Sequence, residues 1–341
     1  GTTQRHIYIN VAMRSVRITN TTFTNCGNLR SNNLGNGRAV DFRATSIDTV
    51  FFQNCSFVNI HDRFIRHYGA GQTPIGDFTL DHCTIVNDLA EHGCLGLGRV
   101  SGRMQITNNL FVDNFVFGND STASDRLTEF GDTGERGPTG AYRMTFVGTV
   151  PTDTITNKWI IHNNYYSVSP SLQAFYDSRN GLPDQGIGNL TPLTWHINKK
   201  IADSINAFKK VATPIVLTKA PATPVALAQW FFLPIANGGS GKIKQNATFL
   251  PPYSQDFDRH ETFYFRDSMN LAYPTSSTVY SGALKGFPAG DLNWFPAQKS
   301  AWIGAGSPTT GVASSGEAVP TTFVLNQNFP NPFNPSTNIS F

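Results

Sequence analysis

The chain has 341 residues, of which only 14 % are charged, with a formal net charge of +3. An average soluble domain carries about 25 % charged residues, and so small a net charge leaves no electrostatic footprint for nucleic acid. No run of about 20 apolar residues is present, which excludes a helical membrane span; four cysteines are too few for a disulfide scaffold at this length.

The chain opens "GTTQRHIYIN", already alternating as a strand does. No signal peptide is visible, so sequence upstream of Gly1 is expected to have been removed or to lie outside this stretch. A short phrase then recurs: "NTTFTN" from Asn20, "NCSFVN" from Asn54, "HCTIVN" from His82, "NNLFVDN" from Asn108 and "NNYYSV" from Asn163. The spacings are 34, 28, 26 and 55 residues, the last about two ordinary spacings. Two and four residues before each anchor sit apolar pairs: Ile18/Val16, Phe52/Val50, Leu80/Phe78, Ile106/Met104 and Ile161/Trp159. That is period-two alternation, the mark of a strand with one buried face. Three residues after each anchor stand Phe23, Phe57, Ile85, Phe111 and Tyr166, so the inward parity changes at the anchor. A bend at the anchor accounts for the change.

One coil of short strands cannot bury its own apolar face, whereas a stack of coils can. The expected fold is therefore all-β, a parallel β-helix. Asn20, Asn54, His82, Asn108 and Asn163 would form a corner ladder, because Asn tolerates left-handed backbone and its amide can bond the amide above and below. Asn25, Asn59 and Asn87 would form a second ladder. Phe23, Phe57, Ile85, Phe111 and Tyr166 would be one core file. An antiparallel sandwich of similar composition is the competing arrangement. The expected divisions are coils over 1–180, a non-repeat cap over 181–255, a closing segment over 256–303 that returns to the coils, a linker over 304–320 and a C-terminal motif over 321–341.

Candidate chemistry follows from positions in the repeat. Arg43, Arg66, Arg99 and Arg179 follow the second strand of successive coils, and His67 adjoins Arg66. On a shared outward face they would make a cationic strip for an anionic polysaccharide, with Asp41, Asp62 and Asp81 in outward slots; ordinary ion pairs on a solvated face are the plainer alternative. His82, Cys83, His92 and Cys94 can be written as a zinc set, but their slots also suit a stacked core. Cys55 and Cys83 occupy equivalent slots, so their Cα atoms should lie about 5 Å apart, inside the disulfide window. A bond and two free thiols both stay open. Residues 118–140 form a polar excursion, either a lid or a lateral contact. "WHINKKIADSINAFKK" (195–210) places Ile197, Ile201, Ile205 and Phe208 on one helical stripe. Trp230, Phe231 and Phe232 offer more apolar surface than a solvated loop wants, so they either cap the coils or meet a partner.

The phrases resemble those of secreted pectate-lyase-like right-handed β-helix proteins over roughly residues 5–180. "FTLDHCTIV" (78–86) resembles an Asp-His-Cys phrase of pectate lyases, and "GFPAGDLNWFP" (286–296) resembles their closing segment. The resemblance implies right-handed winding. It also implies lyase chemistry in which Arg or Lys abstracts a proton beside a uronate carboxylate, often with calcium; no other cofactor is expected. "FVLNQNFPNPFNPSTNISF" (323–341) resembles the start of the C-terminal sorting domain of type nine secretion cargo. Asn328, Pro330, Asn331, Pro332, Phe333, Asn334 and Pro335 carry that match, and three prolines there force extended backbone. This resemblance implies export across the outer membrane by secretion machinery, to the extracellular space or cell surface. Triplets at Asp48, Asp120, Asp153, Asp203 and Asp267 resemble the O-glycosylation pattern of the same bacteria. Two functions are therefore expected to compete. One is an exported structural or adhesive subunit that self-assembles end to end or through its tail. The other is a secreted lyase or glycan-binding protein acting on an anionic polysaccharide, with a cell-surface glycan as partner.

Overall fold

The computed structural model describes residues 5–27, 37–43, 45–68, 75–90, 94–97, 100–117, 147–149, 159–179, 207–241 and 269–308. All of them belong to one compact unit, 1–309. The architecture is mostly parallel β-sheet with few helices. The first sheet holds β1 (Arg5–Ile9), β4 (Arg38–Arg43), β7 (Ile65–Tyr68), β10 (Leu95–Leu97) and β13 (Val147–Thr149). The second holds β2 (Met13–Thr19), β5 (Ile47–Gln53), β8 (Ile75–Asp81), β11 (Met104–Thr107) and β14 (Trp159–His162). The third holds β3 (Thr22–Cys26), β6 (Ser56–Ile60), β9 (Thr84–Asp88), β12 (Leu110–Asn114), β15 (Asn164–Ser167) and β16 (Phe208–Lys210). The chain visits the three sheets in turn, and each visit pairs in parallel with the visit before it.

The recurrent Asn sets this path. Asn20, Asn54, His82, Asn108 and Asn163 all adopt positive φ, between 47° and 61°. Asn25, Asn59, Asn87 and Asp113 do so again five residues later, between 53° and 55°. Single left-handed residues turn the strand sharply, and Asn and Asp pay the smallest steric penalty after Gly. The backbone keeps its pairing through the first corner: the N–H groups of Asn20, Asn54, His82 and Asn108 donate to the carbonyls of Gln53, Asp81, Thr107 and His162.

Register then stacks equivalent side chains. Phe23 pairs with Phe57, Phe57 with Ile85, Ile85 with Phe111 and Phe111 with Tyr166. The first four are buried and Tyr166 half-buried. The Phe23 and Phe57 rings stack at 5.2 Å. The second sheet adds the file Ile18, Phe52, Leu80, Ile106 and Ile161. Each fully buried side chain of this size contributes about 1.5–3 kcal/mol.

The third sheet departs from the one-buried-face pattern. Its outward Val58, Val86 and Val112 are buried as well. They pack with Val211, Ile215, Met269, Leu271, Tyr273, Val279 and Ala289, a second layer laid over the sheet. A further cluster joins Leu89, Val116 and Phe117 to α1 (Pro170–Ser178) and α2 (Val225–Phe232). Trp230, Phe231 and Phe232 belong to it and are buried, with Phe231 stacked on Phe117 at 4.1 Å. In this fold their apolar surface is spent within the chain, not on a partner. Phe208 is likewise not on a helical stripe. It begins β16, opposite Asn164 of β15, because the free edge of β15 supplies backbone partners that a short helix would have to forgo. The other stripe residues, the 118–140 excursion and the 323–341 motif lie outside the described residues.

The second Asn series forms a ladder. Asn59 Nδ2 donates to Asn25 Oδ1 at 3.1 Å, and Asn87 Nδ2 to Asn59 Oδ1 at 3.0 Å. Asn59→Asp would keep the acceptor toward Asn87 and turn a lone pair toward Asn25. The expected loss is about 1–3 kcal/mol of stability, read as a lower midpoint in urea unfolding; an unchanged midpoint would refute the ladder's role.

Candidate functional site

Three places concentrate polar chemistry. The first lies on the first sheet. The register sets Arg66 between Asp41 and Gly96, and Arg43 beside Tyr68. Arg38 bridges Asp41 at 3.5 Å and Asp62 at 2.7 Å. A Cβ on Gly96 would lie 2.5 Å from Arg63 Cδ, so a side chain there would displace the Arg63 side chain that crosses that strand. The result is a cluster of Arg38, Arg63, Arg66, Asp41 and Asp62. Burial pulls the Arg66 guanidinium down to about 10, helped by Arg38 and Arg63 and opposed by Asp62 and Asp41. His67 sits beside Phe42, with Nε2 3.0 Å from the Thr45 carbonyl, and burial lowers its pKa.

This corrects the expected cationic strip. Asp41, Asp62 and Asp81 are buried, not outward and solvated, and Arg66 is 9 % exposed. Unpaired charges are too costly to bury, so the residues close on one another. Arg179 ends α1 and rests on Phe232 and Phe175, 4.8 and 5.9 Å from the ring centres. Arg99 lies outside the described residues. Sequence reasoning missed Arg38 and Arg63; the glycines of "GCLGLG" (93–98) were the signal that something crosses that strand.

The second place is the corner column. Its side chains do not form one continuous ladder. Asn163 Nδ2 reaches Asn108 Oδ1 at 3.4 Å, but the other corner side chains receive the returning C-terminal segment. Tyr165 donates to the Gly282 carbonyl. Asn108 Oδ1 accepts from Leu284 N, and its carbonyl accepts from Gly290 N. Thr84 Oγ1 accepts from Asp291 N. Asn54 accepts from Leu292 N and from Asn293 Nδ2, and Asn20 Oδ1 accepts from Lys299 Nζ. Residues 282–299 thus form a strap that runs back down the stack, visiting earlier phrases in reverse order. The strap supplies backbone N–H donors that need acceptors, and the left-handed corners present theirs outward. One residue on, Asn109 Nδ2 donates to Asn164 Oδ1 at 2.8 Å and Asn109 Oδ1 accepts from Cys83 N; the doublets "NN" at 108–109 and 163–164 carried that signal.

At the same corner Asp81 accepts from Gln53, His82, Thr107 and Asn108 at 2.8–3.0 Å. The Trp302 ring, on α3 (Pro296–Gly304), lies 5.4 Å from that of His82. Cys83 turns inward to the core, Cys94 is in the core too, and His92 is outside the described residues. The zinc set is not assembled: among the described residues no group of three or more His, Cys, Asp or Glu is placed to hold a metal ion. Asp41 and Asp62 share Arg38, and Asp81 stands apart with four donors of its own, so the three do not converge as a calcium site requires. Cys55 and Cys83 are buried free thiols, as are Cys26 and Cys94. Of the two open alternatives the free thiols are found, and both sulfurs bond backbone carbonyls.

The third place is a cleft of about 820 Å³ where residues 214–223 arch beside the third sheet, lined by Asn87, Asp113, Ser169 and Lys219 among others. Asp113 accepts from Ser169 N at 2.6 Å, from Ser169 Oγ and from Thr223, yet burial still raises its pKa. Asp48, of the glycosylation triplets, is exposed. With this geometry in hand, comparison with protein-family models, curated proteins and solved structures finds no match to the chain.

Asp88 supplies a pH test. It is fully buried, and burial first, then Asp62, pushes its pKa well up, against bonds from Ala90 N and Cys94. A raised folded-state pKa gives stability that is present below the unfolded value of about 4 and lost as pH rises through the folded value. Asp88→Asn removes that loss. Its melting temperature should gain on the parent's as pH goes from 4 to 8, in paired scanning fluorimetry; a gap independent of pH would contradict a buried, reluctant carboxylate.

Proposed function

We propose that the three sheets wind as a right-handed parallel β-helix of the pectate-lyase-like kind, and that the protein is an exported extracellular structural or adhesive subunit that assembles end to end. The observation that carries this reading is the open end. β1, β2 and β3 are each the terminal strand of their sheet. Tyr8, Val11 and Met13 there are 48, 61 and 40 % exposed. The Met13 N–H bonds the carbonyl of Ser46, just before β5, so by alternation the Arg14 N–H and C=O face the open side. At the other end β13, β14 and β16 are terminal, in the same sheet order. Strands of one direction can pair across such ends, and a head-to-tail contact that does not close makes a filament. The third sheet is already covered by the second layer, which leaves the ends, among the described residues, as the surfaces best suited to another chain. The run Asn328–Pro335 supports export by type nine secretion machinery, with the tail as a further route of attachment.

Purified protein is expected to form fibres in negative stain as concentration rises. The Val11→Lys, Met13→Lys double variant should stay monomeric with stability changed by less than about 1 kcal/mol. Parent protein that stays monodisperse at every concentration would refute the assembly.

A second reading is favoured by one observation, the Arg66 guanidinium drawn down to about 10. A cation that gives up its proton more readily suits proton abstraction from a uronate, with His67 and Arg43 on the same pair of strands. Under it, depolymerisation of pectin or alginate gives an unsaturated product seen by ultraviolet absorbance, and Arg66→Ala abolishes it without unfolding. No product from the parent protein would remove this reading.

A further inference from the structure

The strap ends on a constellation that neither reading uses. Asp291 is 1 % exposed. Its Oδ2 accepts from Ser56 Oγ at 2.7 Å, and its Oδ1 accepts from Asn293 N at 2.9 Å and Asn293 Nδ2 at 2.7 Å. The other end of the same amide, Asn293 Oδ1, is in contact with Lys299 Nζ. Asn20 Oδ1 also accepts from that ammonium, at 2.7 Å. An amine, a primary amide and a buried carboxyl therefore stand in a row, with the carboxyl on the amide nitrogen and the amine on the amide oxygen.

We propose that Lys299 and Asn293 join in an intramolecular isopeptide bond, with Asp291 as the acid–base group. The Lys299 ammonium passes a proton to the Asp291 carboxylate, leaving a neutral amine and a neutral acid. Nζ then adds to Cγ of Asn293, and the carbonyl electron pair moves onto Oδ1, which takes the Asp291 proton. As the carbonyl re-forms, Oδ1 returns its proton to Asp291 and the Cγ–Nδ2 bond breaks. Nδ2 takes one proton from Nζ and a second from Asp291 and departs as ammonium, which leaves Asp291 a carboxylate as at the start. An amine and a primary amide become a secondary amide and ammonia, with no oxidant or reductant.

Three features of the site favour the step. A Nζ in contact with Oδ1 is within reach of the near-attack range of about 3–3.5 Å to Cγ. Burial raises the pKa of Asp291, so the neutral acid is accessible. Asn20 and Ser56 hold the amine and the carboxyl from outside the reacting group, so both are oriented before reaction. The bond ties α3 to the turn at Leu292–Trp294, which is itself fastened to Asn54 and Ser56. It holds the strap in place whether or not copies assemble.

Intact mass spectrometry of the full chain tests this. The parent should be lighter than its sequence by one ammonia, and trypsin should fail to cut after Lys299. Fragmentation of that peptide should find Asn293 and Lys299 in one closed loop. Lys299→Arg keeps the charge and should show the full mass with an unchanged circular dichroism spectrum. Asp291→Ala, where folded by the same measure, should also show the full mass. Parent protein of full mass that is cut after Lys299 would overturn the proposal, as would an ammonia loss that maps to Asn20. A crosslinked Asp291→Ala protein would overturn the role given to Asp291.

Discussion

Backbone pairing between successive visits to the same sheet is the constraint on which the rest of this structure hangs. A parallel ladder tolerates no slip, because moving the pairing by one residue turns every inward side chain outward. Phe57 meets Phe23 and Ile85 because Ser56 meets Thr22 and Thr84 on the same strands. The left-handed corners keep that phase. Each takes up the turn in a single residue and passes its own N–H to the next carbonyl in the stack. An Asn costs little there, whereas a β-branched residue would have to be forced into positive φ.

The corners also explain the strap. A left-handed residue points its side chain and carbonyl away from both adjoining strands, so a column of such residues is a row of acceptors. Residues 282–299 bring donors at matching intervals. The same layer brings Val279 and Ala289 over Val58, Val86 and Val112, so polar fastening and apolar burial act on one surface. This is why a sheet whose strands read as half-buried is buried on both faces.

Buried polarity elsewhere follows one rule: charges taken out of water are met by opposite charges or by donors. Arg38 sits between Asp41 and Asp62, and Asp81 gathers donors from two strands and two corners. Carboxyls with fewer donors, such as Asp88, respond by holding their proton.

Much of this was legible in the residues. The Asn phrase placed the corners, the alternation before it placed the second sheet, and Phe23, Phe57, Ile85 and Phe111 lined up as their spacing required. Less legible were the partners of the corner side chains. Asn54 reads as a ladder residue, yet its amide oxygen serves Leu292, 238 residues away. Arg66 reads as an outward cation, yet Arg38 and Asp62 reach it from neighbouring turns of the chain. Trp230, Phe231 and Phe232 read as a surface patch until Phe117 and Leu89 supply the other side of the cluster. Local periodicity determined the strands, the corners and the inward file, because those depend on residues two to five apart and on the conformational freedom of single residues. Tertiary structure alone decided which polar atoms met, because burial and pairing of a charge depend on groups that proximity in sequence does not bring together.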